Sequence, residues 1–399
     1  MKDKYMYKEM DQSYVLHSYG RNYVNFTRAK GAKIWDEEGR EYIDFTSGIG
    51  VVSVGHANEQ VSEAICDQAK KIIHISNLFL IEPQAKVAKS LVEKSGYDMR
   101  CFFANSGAEA NEGAIKIARK YGEVDGEPKR YKVITLKHSF HGRTISTLKA
   151  TGQEKMHNYF GPYPDGFVYA DDIDHIASLI DDHTICVMIE LVQGEGGVQP
   201  QDKEKVQNLA KLLKEKDILL AVDEVQTGIY RTGELFASNL YEIEPDIITV
   251  AKGLGNGVPI GVVMTTLKDI FRPGDHGSTF GGNYLVTRAA YEVLEILDAY
   301  KNSGGLDEAM IYFEEKMRHF VETYPDIVEK EVGLGLMRGL RIKSAELLGE
   351  LVENAFKEQL LVLKAGRNTL RFLPPLTISK EEMEEGFARL EKAFAAVKA

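Results

Sequence analysis

The chain has 399 residues, of which 44% are hydrophobic and 27% charged, enough for one large domain and a smaller one. Its formal net charge of −11 argues against nucleic acid or an anionic membrane as a partner, although an arginine pocket could still bind small anions. The three cysteines are scattered without metal-ligand spacing, which favours a reducing compartment. No apolar stretch has the length of a membrane span or the character of a signal segment. We therefore predict a cytoplasmic protein without a metal site.

The amino-terminal segment, residues 1–47, is predicted to be an arm followed by short strands. Two extended pieces flank a turn at Glu38-Gly39, and a glycine-containing loop begins at Ser47. Apolar residues at helical spacing then predict a helix over residues 59–73.

A strand, a turn and a helix follow one another from Arg100 to Tyr121. The strand ends at Asn105, the turn is Ser106-Gly107-Ala108, and the helix has acidic residues in its first turn and basic residues in its last. The free backbone N–H groups at such a helix start form a phosphate cradle. The alternative is an ordinary strand-to-helix connection with a serine cap.

The next predicted strand, Lys132 to Leu136, leads to Phe140 and Arg143. Phe140 could stack on a flat ring, and Arg143 could bind a carboxylate with two hydrogen bonds. The alternative is a core aromatic residue and a surface ion pair.

Three further strand ends carry ionisable residues. Glu190 ends an apolar run and is followed by a glycine-rich loop with Glu195. A helix over 203–216 leads into a buried strand that ends on Asp223, and a second apolar run delivers Lys252 into another glycine-rich turn. In open α/β sheets the ligand crevice lies just outside such strand ends.

Asp223 and Lys252 together predict a specific cofactor. A lysine in such a crevice loses its proton readily and can bond to an aldehyde. Pyridoxal phosphate needs this amine, and it needs a carboxylate that keeps its ring nitrogen protonated. The alternative is a capping acid and a solvated surface lysine.

The remaining chain is predicted to complete the large domain and build the smaller one. A loop of small residues contains Ser278 and Thr279 and precedes a helix from about Asn283 to Tyr300. From about residue 305 helices and strands alternate, and Arg371 lies between apolar residues, where it needs an anionic partner. We assign residues 48–304 to the large domain, and residues 1–47 and 305–399 to the smaller one.

Six motifs in order resemble those of class III aminotransferases of PLP fold type I along nearly the whole chain. They are Asn105-Ser-Gly-Ala-Glu-Ala-Asn111, Phe140-His-Gly-Arg143, Gln193-Gly-Glu-Gly-Gly197, Asp223-Glu-Val-Gln-Thr-Gly228, Ala251-Lys252-Gly and Gly277-Ser-Thr-Phe-Gly-Gly-Asn283. Within the class, the chain is most similar to the acetylornithine aminotransferases. The resemblance implies an α/β fold with a mostly parallel central sheet flanked by helices, plus a smaller α+β domain from both termini.

The resemblance also implies how the cofactor is held. Lys252 would bond to the cofactor aldehyde, Asp223 would pair with the ring nitrogen, and Gln226 would lie near the ring hydroxyl. The remaining cofactor contacts would come from strand ends and from the helix start, with a threonine supplied by a second subunit of a homodimer: Ser106, Gly107, Ala108, Phe140, Glu190, Val225 and Thr279 of the partner subunit. Ala108 departs from the family pattern, because a threonine is usual there.

For the substrates, the resemblance implies transfer of the terminal amine of N-acetylornithine to 2-oxoglutarate, giving glutamate, in arginine biosynthesis. Arg143 would bind a substrate carboxylate, and Glu195 would pair with Arg371 until a second carboxylate needs the arginine. The full set of implied substrate-binding residues is Tyr19, Asn77, Arg143, Glu195, Ser278 and Arg371.

Other functions remain open from the sequence. Ornithine or another ω-amine such as 4-aminobutyrate or succinylornithine could be the donor, although ornithine enzymes carry a tyrosine where this chain has Ile49-Gly50-Val51. A PLP-dependent mutase would need only one substrate, and Arg143 and Arg371 suit two. A PLP-binding regulator would need a basic DNA-binding segment, which the acidic chain does not offer.

Overall fold

The computed structural model describes residues 2–397, with side chains from residue 6 onward. Its α-helices, in chain order, are Lys2–Tyr14 (α1), Ser47–Gly50 (α2), Glu59–Ala69 (α3), Glu82–Ser95 (α4), Gly107–Tyr121 (α5), Ile145–Ala150 (α6), Ile176–Leu179 (α7), Lys203–Glu215 (α8), Ala237–Leu240 (α9), Tyr284–Asn302 (α10), Gly305–Thr323 (α11), Ala345–Lys357 (α12) and Lys380–Ala395 (α13).

The strands, in chain order, are Phe26–Lys30 (β1), Lys33–Asp36 (β2), Glu41–Asp44 (β3), Arg100–Ala104 (β4), Lys132–Leu136 (β5), Phe167–Ala170 (β6), Thr184–Ile189 (β7), Val192–Gln193 (β8), Gln199–Pro200 (β9), Leu219–Asp223 (β10), Ile247–Val250 (β11), Gly261–Thr265 (β12), Val328–Leu334 (β13), Met337–Ile342 (β14), Leu360–Leu361 (β15), Leu363–Ala365 (β16) and Thr369–Phe372 (β17).

A seven-stranded sheet in the order β4-β12-β11-β10-β7-β5-β6 forms the centre of the fold. β12 runs antiparallel to both of its neighbours, and the other strands all point the same way. The predicted mostly parallel sheet is confirmed. All strands except β12 therefore have their carboxyl ends at one edge.

Helices cover both faces of this sheet, because its strands are apolar on both sides. Ala221 packs with the buried face of α5, whereas its neighbours Leu220 and Val222 pack with α8 on the opposite face. Alternation along a strand sends successive side chains to opposite faces. Burying each such aliphatic side chain stabilises the fold by about 1.5–3 kcal/mol.

Two further four-stranded sheets lie outside the central one, in the orders β1-β2-β3-β15 and β13-β14-β17-β16. β3 pairs in parallel with β15, so amino-terminal and carboxy-terminal segments share one sheet. An aromatic cluster joins the same segments, since Phe45 lies against Phe313, Phe372 and Phe387. The predicted alternation of helices and strands after residue 305 is confirmed.

One local prediction needs correction. The helix predicted over residues 59–73 ends at Ala69, and Ile72 and Ile73 are exposed rather than extending its buried stripe. The glycine-containing loop predicted from Ser47 begins with α2, a single turn whose four residues all have positive φ. A left-handed conformation strains the β-branched Ile49. Within the described residues no helix has the length and apolar character needed to cross a membrane.

Candidate active site

A cavity of about 360 Å³ opens at the edge where the parallel strands end. A larger surface groove, about 870 Å³, lies beside α3 and α13 and contains none of the predicted site residues. The smaller cavity is therefore the candidate site. The predicted residues that line it are Ser106, Gly107, Ala108, Phe140, Arg143, Glu190, Glu195, Asp223, Val225, Gln226 and Lys252.

Asp223, at the end of β10, is buried and surrounded by hydrogen-bond donors. Asn111 Nδ2 donates to Asp223 Oδ2 at 2.8 Å, and His141 Nδ1 lies 2.8 Å from the same oxygen. The backbone N–H of Val225 donates to Oδ1 at 3.0 Å. These donors offset the cost of burying a carboxylate.

His141 and Asn111 are functional residues that the sequence analysis missed, although both lie inside quoted motifs. Burial alone lowers the pKa of His141, but its hydrogen bond to Asp223 and the negative charges of Asp223 and Glu190 outweigh burial and raise it. The contact with Asp223 therefore favours the cationic form of His141. The available signal was position: Asn111 lies one turn after Gly107 on α5, on the side that faces the sheet.

Glu190 connects two loops of the site. It follows β7, and its carboxylate accepts hydrogen bonds from the backbone N–H groups of Phe140 at 2.9 Å and Gly194 at 3.3 Å. Burial raises the pKa of Glu190 to about 7; His141 and the two N–H donors act against this shift, whereas Asp223 reinforces it. Glu190 thereby fixes the loop of Phe140 against the loop of Glu195.

Lys252 follows β11 and projects into the cavity from a backbone with φ of 44°. Such an angle is uncommon for a non-glycine residue and is often found at functional sites. Burial lowers the pKa of its amine, and although Glu195 and Asp223 oppose this shift, the net direction is downward. A neutral amine is the nucleophilic form of lysine.

The start of α5 supplies an anion site. Ser106 caps the helix by accepting a hydrogen bond from the N–H of Glu109 at 3.2 Å. The first backbone N–H groups of a helix, here those of Gly107 and Ala108, have no partner within the helix and point at bound anions. A Cβ atom on Gly107 would lie 2.7 Å from Val225 Cγ1, so close packing requires glycine there.

Phe140 and Val225 line the same cavity as Asp223 and Lys252. The Arg143 guanidinium lies 5.4 Å from the centre of the Phe140 ring. An apolar slot with an acid, an amine and a helix start around it suits a flat, phosphorylated ring.

Glu195 and Arg371 form the predicted pair, with Arg371 Nη1 donating to Glu195 Oε1 at 2.6 Å. Arg371 is only 2% exposed, and its Nε has no hydrogen-bond partner among the described residues. Nη1 also donates to Gln226 Oε1 at 3.4 Å, a contact that the sequence did not predict. The unpaired Nε leaves Arg371 able to bind a further anion.

Five predicted residues do not line the cavity within a single chain: Arg371, which reaches Glu195 from β17, and Tyr19, Asn77, Ser278 and Thr279. Ser278 Oγ accepts a hydrogen bond from Asn105 Nδ2 at 3.1 Å, while Thr279 next to it is exposed. Asn77 donates to the carbonyl of Ser278 at 3.1 Å and so holds this loop. Tyr19 is 75% exposed. No cluster of metal-ligating residues occurs in the part of the chain that the structure describes.

Comparison with known proteins decides the family. A family model for class-III aminotransferases matches residues 14–394. The chain belongs to the class-III aminotransferases. An acetylornithine aminotransferase of Wolinella succinogenes is 64% identical over 98% of this chain and 100% of its own length.

Solved structures of this family are also similar. The N-acetylornithine aminotransferase of Stenotrophomonas maltophilia superposes with a TM-score of 0.82 at 33% identity, over 97% of this chain and 98% of its own. An ornithine aminotransferase of Toxoplasma gondii, described with partial occupancy of PLP at its active site, has a TM-score of 0.91 at 34% identity, over 98% of this chain and 94% of its own.

This class-III aminotransferase is a PLP-dependent transaminase, and the described residues fit the cofactor. The helix start at Gly107 and Ala108 would hold the phosphate, Phe140 and Val225 would enclose the ring, and Asp223 would face the ring nitrogen. Lys252 is the amine in the same cavity.

Proposed function

We propose that this aminotransferase moves the terminal amine of N-acetylornithine to 2-oxoglutarate, yielding N-acetylglutamate 5-semialdehyde and glutamate in arginine biosynthesis. The observation that carries the proposal is the Glu195–Arg371 pair beside Lys252. A guanidinium that an acid can mask or release suits a site that takes a donor and a dicarboxylate in turn. The name and 64% identity of the Wolinella succinogenes relative support the donor.

Pyridoxal phosphate, when bound, supplies an electron-withdrawing ring that stabilises negative charge on the substrate carbon. The chain's own groups do the rest. Asp223, held by three donors, keeps a proton on the ring nitrogen. Lys252 Nζ, whose neutral form burial favours, takes the proton from the substrate carbon that bears the amine.

Arg143 and Arg371 bind the carboxylates in this proposal. Arg143, over Phe140 at the mouth of the cavity, would bind a carboxylate of either substrate. Arg371 would bind the second carboxylate of 2-oxoglutarate after Glu195 turns away. With the donor bound, Glu195 offsets the cost of an unpaired buried guanidinium.

Ornithine is the second candidate donor, favoured by the TM-score of 0.91 to the Toxoplasma gondii ornithine enzyme. Against it, Ile49 and Val51 stand where ornithine enzymes resembling this chain carry a tyrosine, and Val51 lines the cavity. An apolar wall provides no polar partner for the free α-amine of ornithine.

We also propose a cytoplasmic homodimer in which Thr279 of the partner subunit completes the phosphate site. Support for the dimer comes from the position of Thr279, exposed at the tip of a loop that Asn77 and Asn105 hold in place. Support for the compartment comes from three cysteines that all remain free of disulfides.

A half-reaction scan tests the proposal. Each amine (N-acetylornithine, succinylornithine, ornithine and 4-aminobutyrate) is added to the PLP-loaded enzyme without an acceptor, and the absorbance of lysine-bound cofactor is followed. Among the four amines, N-acetylornithine should give the highest ratio of limiting rate constant to dissociation constant. The Lys252→Ala variant should show no reaction. A clear preference for ornithine would move the assignment to the second candidate, and no reaction with any of the four would overturn both.

A further inference from the structure

Arg341, on β14, is a buried arginine whose hydrogen bonds go to oxygen atoms of two loops. It is 6% exposed, and its Nη1 donates to the carbonyl of Arg367 at 2.7 Å. Its Nη2 donates to the carbonyl of Gly197 at 3.2 Å and lies 3.4 Å from Gln199 Oε1. A buried guanidinium is costly to desolvate, so three such contacts indicate a strict positional requirement.

Of the two loops that Arg341 joins, one carries Glu195 and the other leads into β17, which carries Arg371. Gly197 lies two residues after Glu195, and Arg367 lies four residues before Arg371. Thr369 reinforces the junction, because its Oγ1 donates to the carbonyls of Gly197 at 3.2 Å and Gly366 at 2.9 Å. We call Arg341 and Thr369, with the carbonyls that they bind, the carbonyl clamp.

The two sides of the clamp are supported unequally. Arg371 is held independently, since β17 pairs with β14 on one side and β16 on the other. Glu195, by contrast, lies in a loop with three glycines. The backbone carbonyl of Glu195 accepts a hydrogen bond from the N–H of Gly366 at 2.9 Å. Glycine-rich backbone has few side-chain contacts and high conformational freedom. The position of Glu195 therefore depends on the clamp more than that of Arg371 does.

We propose that Arg341 is a positioning residue that holds Glu195 against Arg371 and so sets how strongly the acid masks the guanidinium. The proposal rests on the proposed function, in which masking excludes dicarboxylates while the donor reacts. Without Arg341, Glu195 faces Arg371 less often, and the exposed guanidinium binds dicarboxylates too readily. The donor then binds beside an unmasked buried charge and binds less well.

Arg341→Met, which keeps the length and apolar part of the side chain, tests this in the PLP-loaded enzyme. The probe is glutarate, a dicarboxylate with neither an amine nor a keto group, whose affinity is measured by calorimetry. Loss of hydrogen bonds worth about 1 kcal/mol in total should tighten glutarate binding roughly fivefold. In single turnovers of the donor half-reaction, the donor concentration at half-saturation should rise, whereas the limiting rate should stay near wild type because Asp223 and Lys252 are unchanged.

Three further variants separate positioning from general destabilisation. Arg341→Lys keeps a cation that can donate to both carbonyls and should restore glutarate affinity most of the way to wild type. Thr369→Val loosens the same clamp from its other side and serves if Arg341→Met does not fold. Arg389→Met is the control, because Arg389 is also a mostly buried arginine that donates to two carbonyls, those of Glu41 and Gln359, and its partners, which include the Glu385 carboxylate, lie outside the loop of Glu195.

The outcomes are distinct. Tighter glutarate binding and weaker donor binding in Arg341→Met or Thr369→Val, without either change in Arg389→Met, support the clamp. Unchanged glutarate and donor binding in a folded clamp variant, or an equal shift in Arg389→Met, overturn it. Glutarate binding is read without turnover, so a wild-type enzyme that reacts with no donor counts against the proposed function while the glutarate comparison still decides on the clamp.

Discussion

Asp223 is a buried carboxylate surrounded by hydrogen-bond donors. Two side chains and one backbone N–H donate to it, and one of the side chains, His141, has a raised pKa and favours the protonated, cationic form. A carboxylate held in this way can stabilise a proton on a ring nitrogen placed against it. The strength of that stabilisation is testable by removing the charge alone.

Asp223→Asn should retain bound cofactor and lose most of the rate, because a neutral amide does not hold the ring nitrogen protonated. A loss of ~10³-fold corresponds to about 4 kcal/mol of barrier. Single-turnover rates with the preferred donor measure it. Glu224→Gln is the control, since Glu224 is the neighbouring buried acid and caps the backbone at Ala237 and Ser238 outside the cavity. Near-normal turnover in folded Asp223→Asn would contradict the role of Asp223.

Glu190 predicts how stability depends on pH. Its pKa is 4.5 in the unfolded chain and is raised to about 7 in the folded protein. Between these values the folded protein binds a proton that the unfolded chain has lost, so the free energy of unfolding falls as pH rises through this window, by at most about 3 kcal/mol. His141, with its pKa raised above 6.5, adds a fall of the same sign at higher pH.

Glu190→Gln should flatten the lower part of this curve. Thermal unfolding of the cofactor-free protein from pH 4.5 to 7 should show a smaller decrease than in wild type, while the fall above pH 6.5 due to His141 remains. Parallel curves for variant and wild type would show that Glu190 does not titrate in this range.

Residues at strand ends were predictable from sequence, and residues that turn inward beside them were not. An apolar run that stops on a charged residue locates Asp223 and Lys252 directly. His141 lies in the loop after β5 and Asn111 lies within α5, and the sequence alone does not show that their side chains meet at one carboxylate. The carbonyl clamp could not be predicted either, because the partners of Arg341 in it are backbone carbonyls, which a sequence pattern does not reveal.

At the scale of elements, the start of α5 packs against the turn after β10. The contact is tight enough that Gly107 has no room for a side chain, because a Cβ atom added to Gly107 would lie 2.7 Å from Val225 Cγ1. The helix start and one wall of the ring slot therefore fix each other. Their separation decides where the phosphate lies relative to the ring.

Gly107→Ala should weaken PLP binding at least tenfold, which is about 1.4 kcal/mol, because α5 or Val225 must shift. The dissociation constant of PLP, measured by fluorescence titration of the cofactor-free protein, gives the answer. Gly349→Ala, in α12, is the control, since its Cβ would lie 3.7 Å from only the flexible Lys364 Nζ. That change should leave PLP affinity unaltered and stabilise the helix by about 0.5–1 kcal/mol. Equal PLP affinity in Gly107→Ala and wild type would refute the cradle.

Strand β17 places Arg371 where it meets Glu195 from across the cavity. Arg371→Ala should damage the 2-oxoglutarate half-reaction far more than the donor half-reaction. Losing a charge-assisted contact of ~2–5 kcal/mol predicts an effect of tens- to thousands-fold on that side alone. The direction is opposite to that of Arg341→Met, which should tighten dicarboxylate binding. Equal losses in both half-reactions would reject this division of labour.

The direction of β12 does not follow from the sequence. An apolar run indicates a strand but not which way the strand points, and the strand order β4-β12-β11 arises from long-range pairing. Strand existence follows from composition, whereas pairing depends on contacts between distant segments.

At the scale of the whole molecule, an apolar surface surrounds the loop that carries Thr279. Leu78, Phe79 and Leu80 are 87%, 63% and 96% exposed, and Phe280 is 60% exposed beside Thr279. Tyr284 Oη donates to the carbonyl of Leu80, which joins the two segments into one surface. A contiguous exposed apolar surface is characteristic of a protein–protein interface.

Subunit mixing tests whether this interface shares the active site. Lys252→Ala and Thr279→Ala proteins, each poorly active at limiting PLP, are mixed under conditions in which subunits exchange. Each mixed dimer of a shared-site enzyme regains one site with both wild-type residues, so random exchange should restore about a quarter of the sites. Exchange demonstrated by labelled subunits with no return of activity would exclude the sharing.

The pairing of β3 with β15 has a consequence for how the protein is made. Their paired residues, such as Ile43 and Leu360, are roughly 300 residues apart, and at ~5–20 residues per second the ribosome takes on the order of 15–60 s to supply the second strand. Until then β3 presents an unpaired edge, and Phe45 lacks two of its aromatic partners, Phe372 and Phe387. An unpaired apolar edge is prone to association with other chains. The nascent amino-terminal segment is therefore exposed to such association until the last part of the chain has been synthesised.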